Sequence, residues 1–437
     1  MTKTRIDILT LGCSKNLVDS ERLMARLEAN GFRCYHDAEC PSGRIVVINT
    51  CGFIGDAKEE SINTILQFVA RKQAGKVDRI YVMGCLSQRY LKDLEDEIPE
   101  VDKWFGKFDY LNLVNELQEQ VQSPHPSAIK PRHITTPKHT AYLKISEGCN
   151  RLCSYCAIPL ITGRHTSRPI EDIVKEAEWL QKEGVKELNV IAQDLSSYGL
   201  DLYQEHKLPE LIDRLAGIDG IRWIRLHYAY PTDFPEGLLA VMAKHTNVCK
   251  YLDIALQHCT THMLTQMRRH ITQEQQDALI HRIREIVPGI HIRTTLMVGH
   301  PGETEEDFEQ LCQWVKQMRF ERMGAFAYCE EDGTYAAKHY KDDVSEEVKQ
   351  QRLNTLMAIQ QQISAEIQEA KVNQVYSVLI DRREGDYLIG RTEWDSPEVD
   401  CEVLIKQEKT KADPIGQFVQ VRITRAEEFD LYGQIIQ

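Results

Sequence analysis

Short apolar runs separated by amphipathic stretches set the rhythm of the first hundred residues. Ile6–Leu11, Ile45–Asn49 and Arg79–Met83 read as buried strands, and 17–29, 58–71 and 87–98 carry the 3.6-residue periodicity of helices. Strand alternating with helix predicts an open parallel α/β sheet with helices on its faces. Residues 123–138 are rich in proline and lack periodicity, which predicts an extended linker. The alternation then resumes, with strands expected at 140–145, 187–192, 223–228, 251–256, 290–298 and 324–328. Six such units suit a partial (β/α)6 barrel with its site at the C-terminal strand ends. A charged helix over 345–371 leads to five short strands after Val375, the pattern of a small OB-like β-barrel. The expected class is therefore α/β with a terminal β-barrel. The expected divisions are 1–122, the linker 123–138, 139–371 and 372–437.

Chemistry enters with the cysteines. Cys149, Cys153 and Cys156 are spaced CxxxCxxC within eight residues. Three thiolates on one tight loop can hold three irons of a four-iron cubane and leave the fourth without a protein ligand. Electron-transfer clusters commonly have a fourth cysteine, so a loop that stops at three leaves an iron for S-adenosylmethionine to chelate. The competing reading is structural zinc, but zinc loops usually come as CxxC pairs completed by a distant second pair, and the chain has none. Cys13, Cys51 and Cys85 each stand just past one of the three N-terminal strands. Parallel strand ends lie along one edge, where open α/β folds place ligands, so these thiols are expected to form a second trio. Gly12, Gly52 and Gly84 beside them are expected to let the backbone approach a bulky group.

The other seven cysteines lack ligand spacing and are expected to be packing residues. Gln193, at a strand end, and Gly299 and Gly302, in the loop Gly299-His-Pro-Gly-Glu-Thr304, are candidate contacts for S-adenosylmethionine. A plain turn capped by Thr304 and Asp307 would explain that loop equally well. His258 and His262 have helical metal-pair spacing, but the first ends a strand, so a metal is not expected there. Glu330, Glu331 and Asp332 read as a solvated acidic loop rather than as catalytic acids.

The chain of 437 residues is too long for a single core. It shows neither a membrane-length apolar run nor a signal pattern at its start, so a cytoplasmic protein is expected. Thirteen cysteines in such a chain suggest ligands and buried thiols, not disulfides. The net charge of −13 argues against a broad nucleic-acid surface. The stretch from Val375 onward has thirteen acidic residues against eight basic, which suits a basic protein partner.

Three features carry a resemblance over essentially the whole chain: Leu11-Gly-Cys-Ser-Lys-Asn-Leu-Val-Asp-Ser-Glu21, Ser146-Glu-Gly-Cys-Asn-Arg-Leu-Cys-Ser-Tyr-Cys-Ala-Ile-Pro159, and the terminal module with Gly390-Arg-Thr-Glu-Trp-Asp-Ser-Pro-Glu-Val-Asp400. Together with Tyr228-Ala-Tyr-Pro231 they resemble the radical S-adenosylmethionine methylthiotransferases, whose parts are a methylthiotransferase domain, a radical core and a TRAM domain. The likeness is greatest to the branch that methylthiolates an aspartate of the twelfth small-subunit ribosomal protein. The sister branch, which acts on isopentenyl-adenosine in transfer RNA, usually has Gln-Met where Ser14 and Lys15 stand. Thr162 and Ala255 depart from the family pattern at positions that are not cluster ligands.

The resemblance implies two [4Fe-4S] clusters, on Cys149, Cys153 and Cys156 and on Cys13, Cys51 and Cys85. The first would cleave S-adenosylmethionine to a radical that removes hydrogen from the aspartate β-carbon. The second would carry the sulfur that is methylated and transferred. It also implies Tyr155 near the adenine, a low-potential electron donor and a sulfur donor. The readings left to compete are the transfer-RNA enzyme and a non-enzymatic, zinc-stabilised RNA-binding protein.

Overall fold

A computed structural model describes residues 4–120, 130–406 and 414–436. Its first sheet is parallel, with strands β1 (Arg5–Thr10), β2 (Arg33–His36), β3 (Ile45–Thr50), β4 (Arg79–Gly84) and β5 (Lys103–Trp104) in the order β2-β1-β3-β4-β5. Helices α1 (Ser14–Ala29), α2 (Gly55–Gln73), α3 (Cys85–Glu97) and α4 (Tyr110–Gln120) cover it. The period of two in β3 explains its fully apolar look. Ile45 and Val47 pack with Leu23 and Leu27 of α1, whereas Val46 and Ile48 pack with Ile65 and Phe68 of α2. The sequence reading missed β2 and β5. Both are edge strands, one of four residues and partly exposed, the other of two, so neither has an apolar run to betray it.

The central unit has strands β6 (Thr140–Lys144), β7 (Ser146–Glu147), β8 (Thr166–Ser167), β9 (Glu187–Ile191), β10 (Trp223–Ala229), β11 (Val248–Ile254), β12 (His291–Val298) and β13 (Arg322–Ala327). Its helices are α5 (Ile158–Thr162), α6 (Ile170–Lys182), α7 (Leu208–Ala216), α8 (Gly237–Lys244), α9 (Thr261–Gln266), α10 (Gln273–Ile286), α11 (Glu305–Met318), α12 (Tyr335–His339) and α13 (Glu346–Glu369). Six strands form one parallel sheet, β13-β12-β11-β10-β9-β6, open between its edges as expected of a partial barrel. Even-numbered residues such as Leu188, Val190, Ile224, Leu226, Leu252 and Ile254 enter the apolar layer under the helices. Their odd-numbered neighbours Glu187, Asn189, Arg225, His227 and Asp253 form a buried polar interior. Strands β14 (Val375–Glu384), β15 (Tyr387–Arg391), β16 (Val403–Lys406), β17 (Phe418–Ala426) and β18 (Leu431–Ile435) close into the expected five-stranded barrel. No helix among the described residues is long and apolar enough to cross a membrane.

The outer units hold opposite ends of the central sheet. At its N-terminal strand ends, Glu187 accepts from Arg391 at 2.7 and 3.0 Å, from Arg225 at 3.1 Å and from Thr140 at 2.9 Å, all buried. Burial alone would raise the Glu187 pKa, but the guanidiniums of Arg391 and Arg225 drive it far below the usual carboxylate range. Arg322 pairs with Asp395 on the same face, and Tyr251 donates to Asp400. At the C-terminal ends the first sheet docks instead. Glu331 pairs with Lys58 at 2.9 Å and with Arg89 at 2.7 Å, and Tyr90 donates to Asp332. The acidic loop 330–332 is thus a docking point with Glu331 buried, not the solvated loop its composition suggests. Of the seven cysteines expected in packing roles, Cys34, Cys249, Cys259, Cys312 and Cys401 are buried, but Cys40 and Cys329 are exposed.

Candidate functional site

The three N-terminal cysteines sit where strand passes to helix. Cys13 caps α1, Cys51 follows β3 and Cys85 opens α3. Asn16 ties the loops together: its Nδ2 donates to the carbonyls of Leu11 (2.9 Å) and Thr50 (3.0 Å), and its Oδ1 lies 3.5 Å from the Cys85 thiol. Ser61 closes the Cys51 loop, accepting from Cys51 N and donating to Cys51 O, each at 3.0 Å. The three thiols lie close enough to perturb one another electrostatically. Burial pushes Cys85 up to about 12. It also opposes ionisation of Cys13, but Lys15, Lys107 and the α1 backbone outweigh it and lower that thiol.

The neighbouring glycines serve the packing of the loops on one another. A Cβ on Gly12 would stand 2.7 Å from Cys51 Cβ, on Gly52 2.7 Å from Leu86 N, and on Gly84 2.5 Å from Thr50 O. Their small size lets the three loops pack on each other, and φ of +91° at Gly12 and +110° at Gly84 adds a conformational demand.

Cys149, Cys153 and Cys156 occupy the loop from β7 to α5. Its entry needs glycine: φ is +80° at Gly148, and a Cβ there would lie 2.2 Å from Arg164 O. Arg151 N donates to the Cys149 thiol at 3.5 Å. Arg269, buried, donates from Nη1 to the Cys153 thiol and to Tyr155 Oη, each at 3.3 Å, and from Nη2 to Ala255 O. Tyr230 Oη lies 3.4 Å from the same thiol. Burial raises the Cys149 thiol to about 12 and Cys156 further. Ser154 hydrogen-bonds His300 at 3.0 Å, which brings the Gly299–Thr304 loop against the cysteine loop.

The candidate cofactor contacts fall in different settings. Tyr155 lies within the cysteine loop, edge-on to His300. Gln193 donates to Glu147, and its Oε1 is buried without a partner, as are Gln257 Oε1, Asp194 Oδ1 and Arg269 Nε. Gly299 N donates to Glu303 at 2.5 Å and Gly302 N to Asp343 at 3.0 Å, so protein carboxylates occupy both amides. Thr304 and Asp307 form the full capping box. His258 and His262 turn to separate carboxylates, Glu303 (3.2 Å) and Asp307 (2.8 Å), not to a shared ion.

The two trios meet across the end of β10. Tyr230 touches Cys153, and two residues earlier the Tyr228 ring lies 3.3 Å beneath the ammonium of Lys15, itself two residues from Cys13. A charge network runs in parallel. Lys107 Nζ is 3.7 Å from the Cys85 thiol, 3.4 Å from Asp19 and 3.5 Å from Glu147; Lys144 joins the same two carboxylates. Sequence reasoning missed Arg269, Lys107 and Tyr230. Tyr230 lies in the stretch Tyr228-Ala-Tyr-Pro231 but had no role assigned, and Arg269 stands in the basic tripeptide Arg268-Arg269-His270.

Both settings fit an anionic iron–sulfur group on three thiolates, because buried cations face a thiol in each, Lys107 at Cys85 and Arg269 at Cys153. Among the described residues no three His, Cys, Asp or Glu side chains gather tightly enough for one metal ion.

Comparison with known proteins decides the family. Models described as an uncharacterized protein family (UPF0004), the Radical SAM superfamily and the TRAM domain match residues 5–106, 143–315 and 372–436. A ribosomal protein uS12 methylthiotransferase RimO of Phocaeicola vulgatus is 61% identical over 436 residues, covering all of both chains. The chain belongs to the RimO family of radical SAM methylthiotransferases. Another RimO, from Christiangramia forsetii, is 52% identical, covering 99% of this chain and 95% of its own. Among solved structures, the radical S-adenosylmethionine methyltransferase TsrM from Kitasatospora setae superposes with a TM-score of 0.56 at 15% identity, covering 88% of this chain and 79% of that one. That likeness is one of fold. RimO proteins, as radical SAM enzymes, use S-adenosylmethionine and a four-iron cluster.

Proposed function

We propose that this enzyme methylthiolates the β-carbon of an aspartate in ribosomal protein uS12, with four-iron clusters on both thiol trios and S-adenosylmethionine at the Cys149–Cys156 loop. What carries the reading is that Tyr230 touches Cys153 while Tyr228, two residues earlier, touches Lys15 beside Cys13, because hydrogen removal and sulfur transfer must act on one carbon. When bound, these groups supply the one-electron chemistry that opens an unactivated C–H bond and the sulfur that replaces it.

The chain's own residues bind, orient and shield. Cys149, Cys153 and Cys156 hold one group, and Cys13, Cys51 and Cys85 the other. Arg269 and Lys107 place buried positive charge beside Cys153 and Cys85, where it offsets the negative charge of thiolate ligands. Tyr155, Gln193 and the unpaired Gln257 oxygen offer polar contacts for S-adenosylmethionine; Gly299 and Gly302 shape the loop that carries His300 to it. The N-terminal sheet docks at the strand ends through Lys58 and Arg89 on Glu331.

The acidic balance of the last barrel favours a basic protein over RNA. Incubating the reconstituted enzyme with uS12 and with transfer RNA, and measuring the methylthio mass shift on each, tests the proposal. Modification of the RNA alone would overturn it.

A further inference from the structure

Among the described residues, one buried ammonium beside the first trio has no carboxylate within ion-pair distance. Lys15 is 9% exposed, and the titratable groups facing it are Tyr228 at the end of β10, Cys13 at the start of its own helix and Lys107 after β5. Among them only Cys13, as a thiolate, opposes its charge, and that thiolate also faces Lys107 and is a ligand of the group proposed for the first trio. The neighbouring cations are otherwise engaged: Lys107 and Lys144 with Asp19 and Glu147, Arg151 with Asp194, and Arg269 with Cys153, Tyr155 and Ala255 O.

Lys15 is also held by a built feature. Its Nζ rests 3.3 Å from the Tyr228 ring centroid, and Tyr228 takes φ of +66° where the β10–β11 register breaks between Leu226 and Ala229. A tyrosine in the left-handed region is strained, and such strain persists where surroundings enforce it. It removes Tyr228 from the alternation that buries Ile224 and Leu226 under the helices. An aromatic face holds a cation in place without cancelling its charge, and an ammonium has three donors, so it can take a further anion beside the one on Cys13.

We propose that Lys15 binds the carboxylate of the target aspartate, with Tyr228 fixing the ammonium, so that the adjoining β-carbon is presented between the two thiol trios. The inference rests on uS12 aspartate being the substrate. The aspartate carboxyl carbon is bonded directly to Cβ, so an anchor on the carboxylate locates the carbon that reacts. The same anchor separates aspartate from asparagine, which is isosteric and uncharged, and makes Lys15 a specificity-determining residue.

The test uses the reconstituted full chain and uS12 carrying its target aspartate or asparagine there, free or in the small subunit, whichever form the wild type methylthiolates. Binding is measured for the wild type, Lys15→Met and Lys15→Arg. The wild type should prefer aspartate by about tenfold or more, Lys15→Met should bind both within about twofold, and Lys15→Arg should recover most of the preference. Each readout is a ratio within one protein, so losses of folded or loaded enzyme cancel. An undiminished preference in Lys15→Met, or none in a wild type that still methylthiolates uS12, overturns the assignment of Lys15 and leaves the substrate standing. A wild type that cannot methylthiolate uS12 in either form overturns both.

Discussion

Replacing Glu187 with glutamine isolates what joins the terminal barrel to the central one. The side chain keeps its shape and can still accept from Thr140, but two buried guanidiniums lose a shared carboxylate. They do not lose equally. Arg391 keeps Asp381, at 2.7 and 3.0 Å, whereas Arg225 is left with the carbonyls of Glu393 and Thr392. Breaking a fully buried pair costs roughly 3–5 kcal/mol, and one orphan rather than two places Glu187→Gln near 3. With a urea m-value of about 3 kcal/mol/M, the midpoint should fall by about 1 M.

The transition can be followed by tryptophan fluorescence, since Trp223 meets Phe418 edge-on at 4.8 Å at this junction. Adding Arg225→Met removes the orphan and should return at least half of the loss. A midpoint unchanged by Glu187→Gln, or a double variant as unstable as the sum of the singles, would refute the account. The depressed Glu187 pKa fixes the pH sense. Its contribution is complete above the unfolded value of 4.5 and is lost as pH falls towards the lower folded value.

Cys51→Ala should abolish thiomethylation while leaving reductive cleavage of S-adenosylmethionine partly intact, and Cys153→Ala should remove both; product analysis by mass spectrometry checks this, and wild-type thiomethylation by Cys51→Ala would remove the sulfur role from the N-terminal trio. Glu331→Gln strands Lys58 and Arg89, so amide exchange in α2 and α3 should quicken by about tenfold or more while β9–β11 stay protected. Lys371, buried near Arg322, is lowered to about 8 from 10.5, first by burial and then by that cation. Between those values the unfolded chain holds a proton that the folded one lacks, so stability should rise with pH by about 3 kcal/mol. Lys371→Met should remove that rise in urea titrations at pH 7 and 10.5; a slope equal to wild type would contradict it.

Much of the scaffold was legible because the interior strands are buried on both faces and declare themselves as short apolar runs. The N-terminal trio was legible for a related reason, since a cysteine just past such a run lies on the sheet's ligand edge, whereas Cys149, Cys153 and Cys156 were legible from their local spacing. The edge strands β2 and β5 escaped because they bury little. The contacts between units escaped because they are made of residues that look like surface. Glu331 sits in an acidic tripeptide, Arg269 in a basic one, and Glu187 opens a strand whose partners lie 38 and 204 residues further on. Periodicity records which face a residue is on, not which distant charge will meet it there.

The network of Lys107, Asp19, Lys144 and Glu147 runs from the first trio to the strand that leads into the second, a route by which the two could be thermodynamically linked. Lys107 reaches the Cys85 thiol at one end, and Glu147, two residues before Cys149, accepts from Gln193 at the other. A change of charge at either trio redistributes the hold of two lysines on two shared carboxylates, so its energetic effect is felt at both. Linkage is reciprocal: if filling the first trio strengthens retention of the group on the second, filling the second strengthens the first by the same factor. If both trios are filled as proposed and the coupling is positive, the two groups would be acquired cooperatively and partly loaded molecules would be the minority species during maturation.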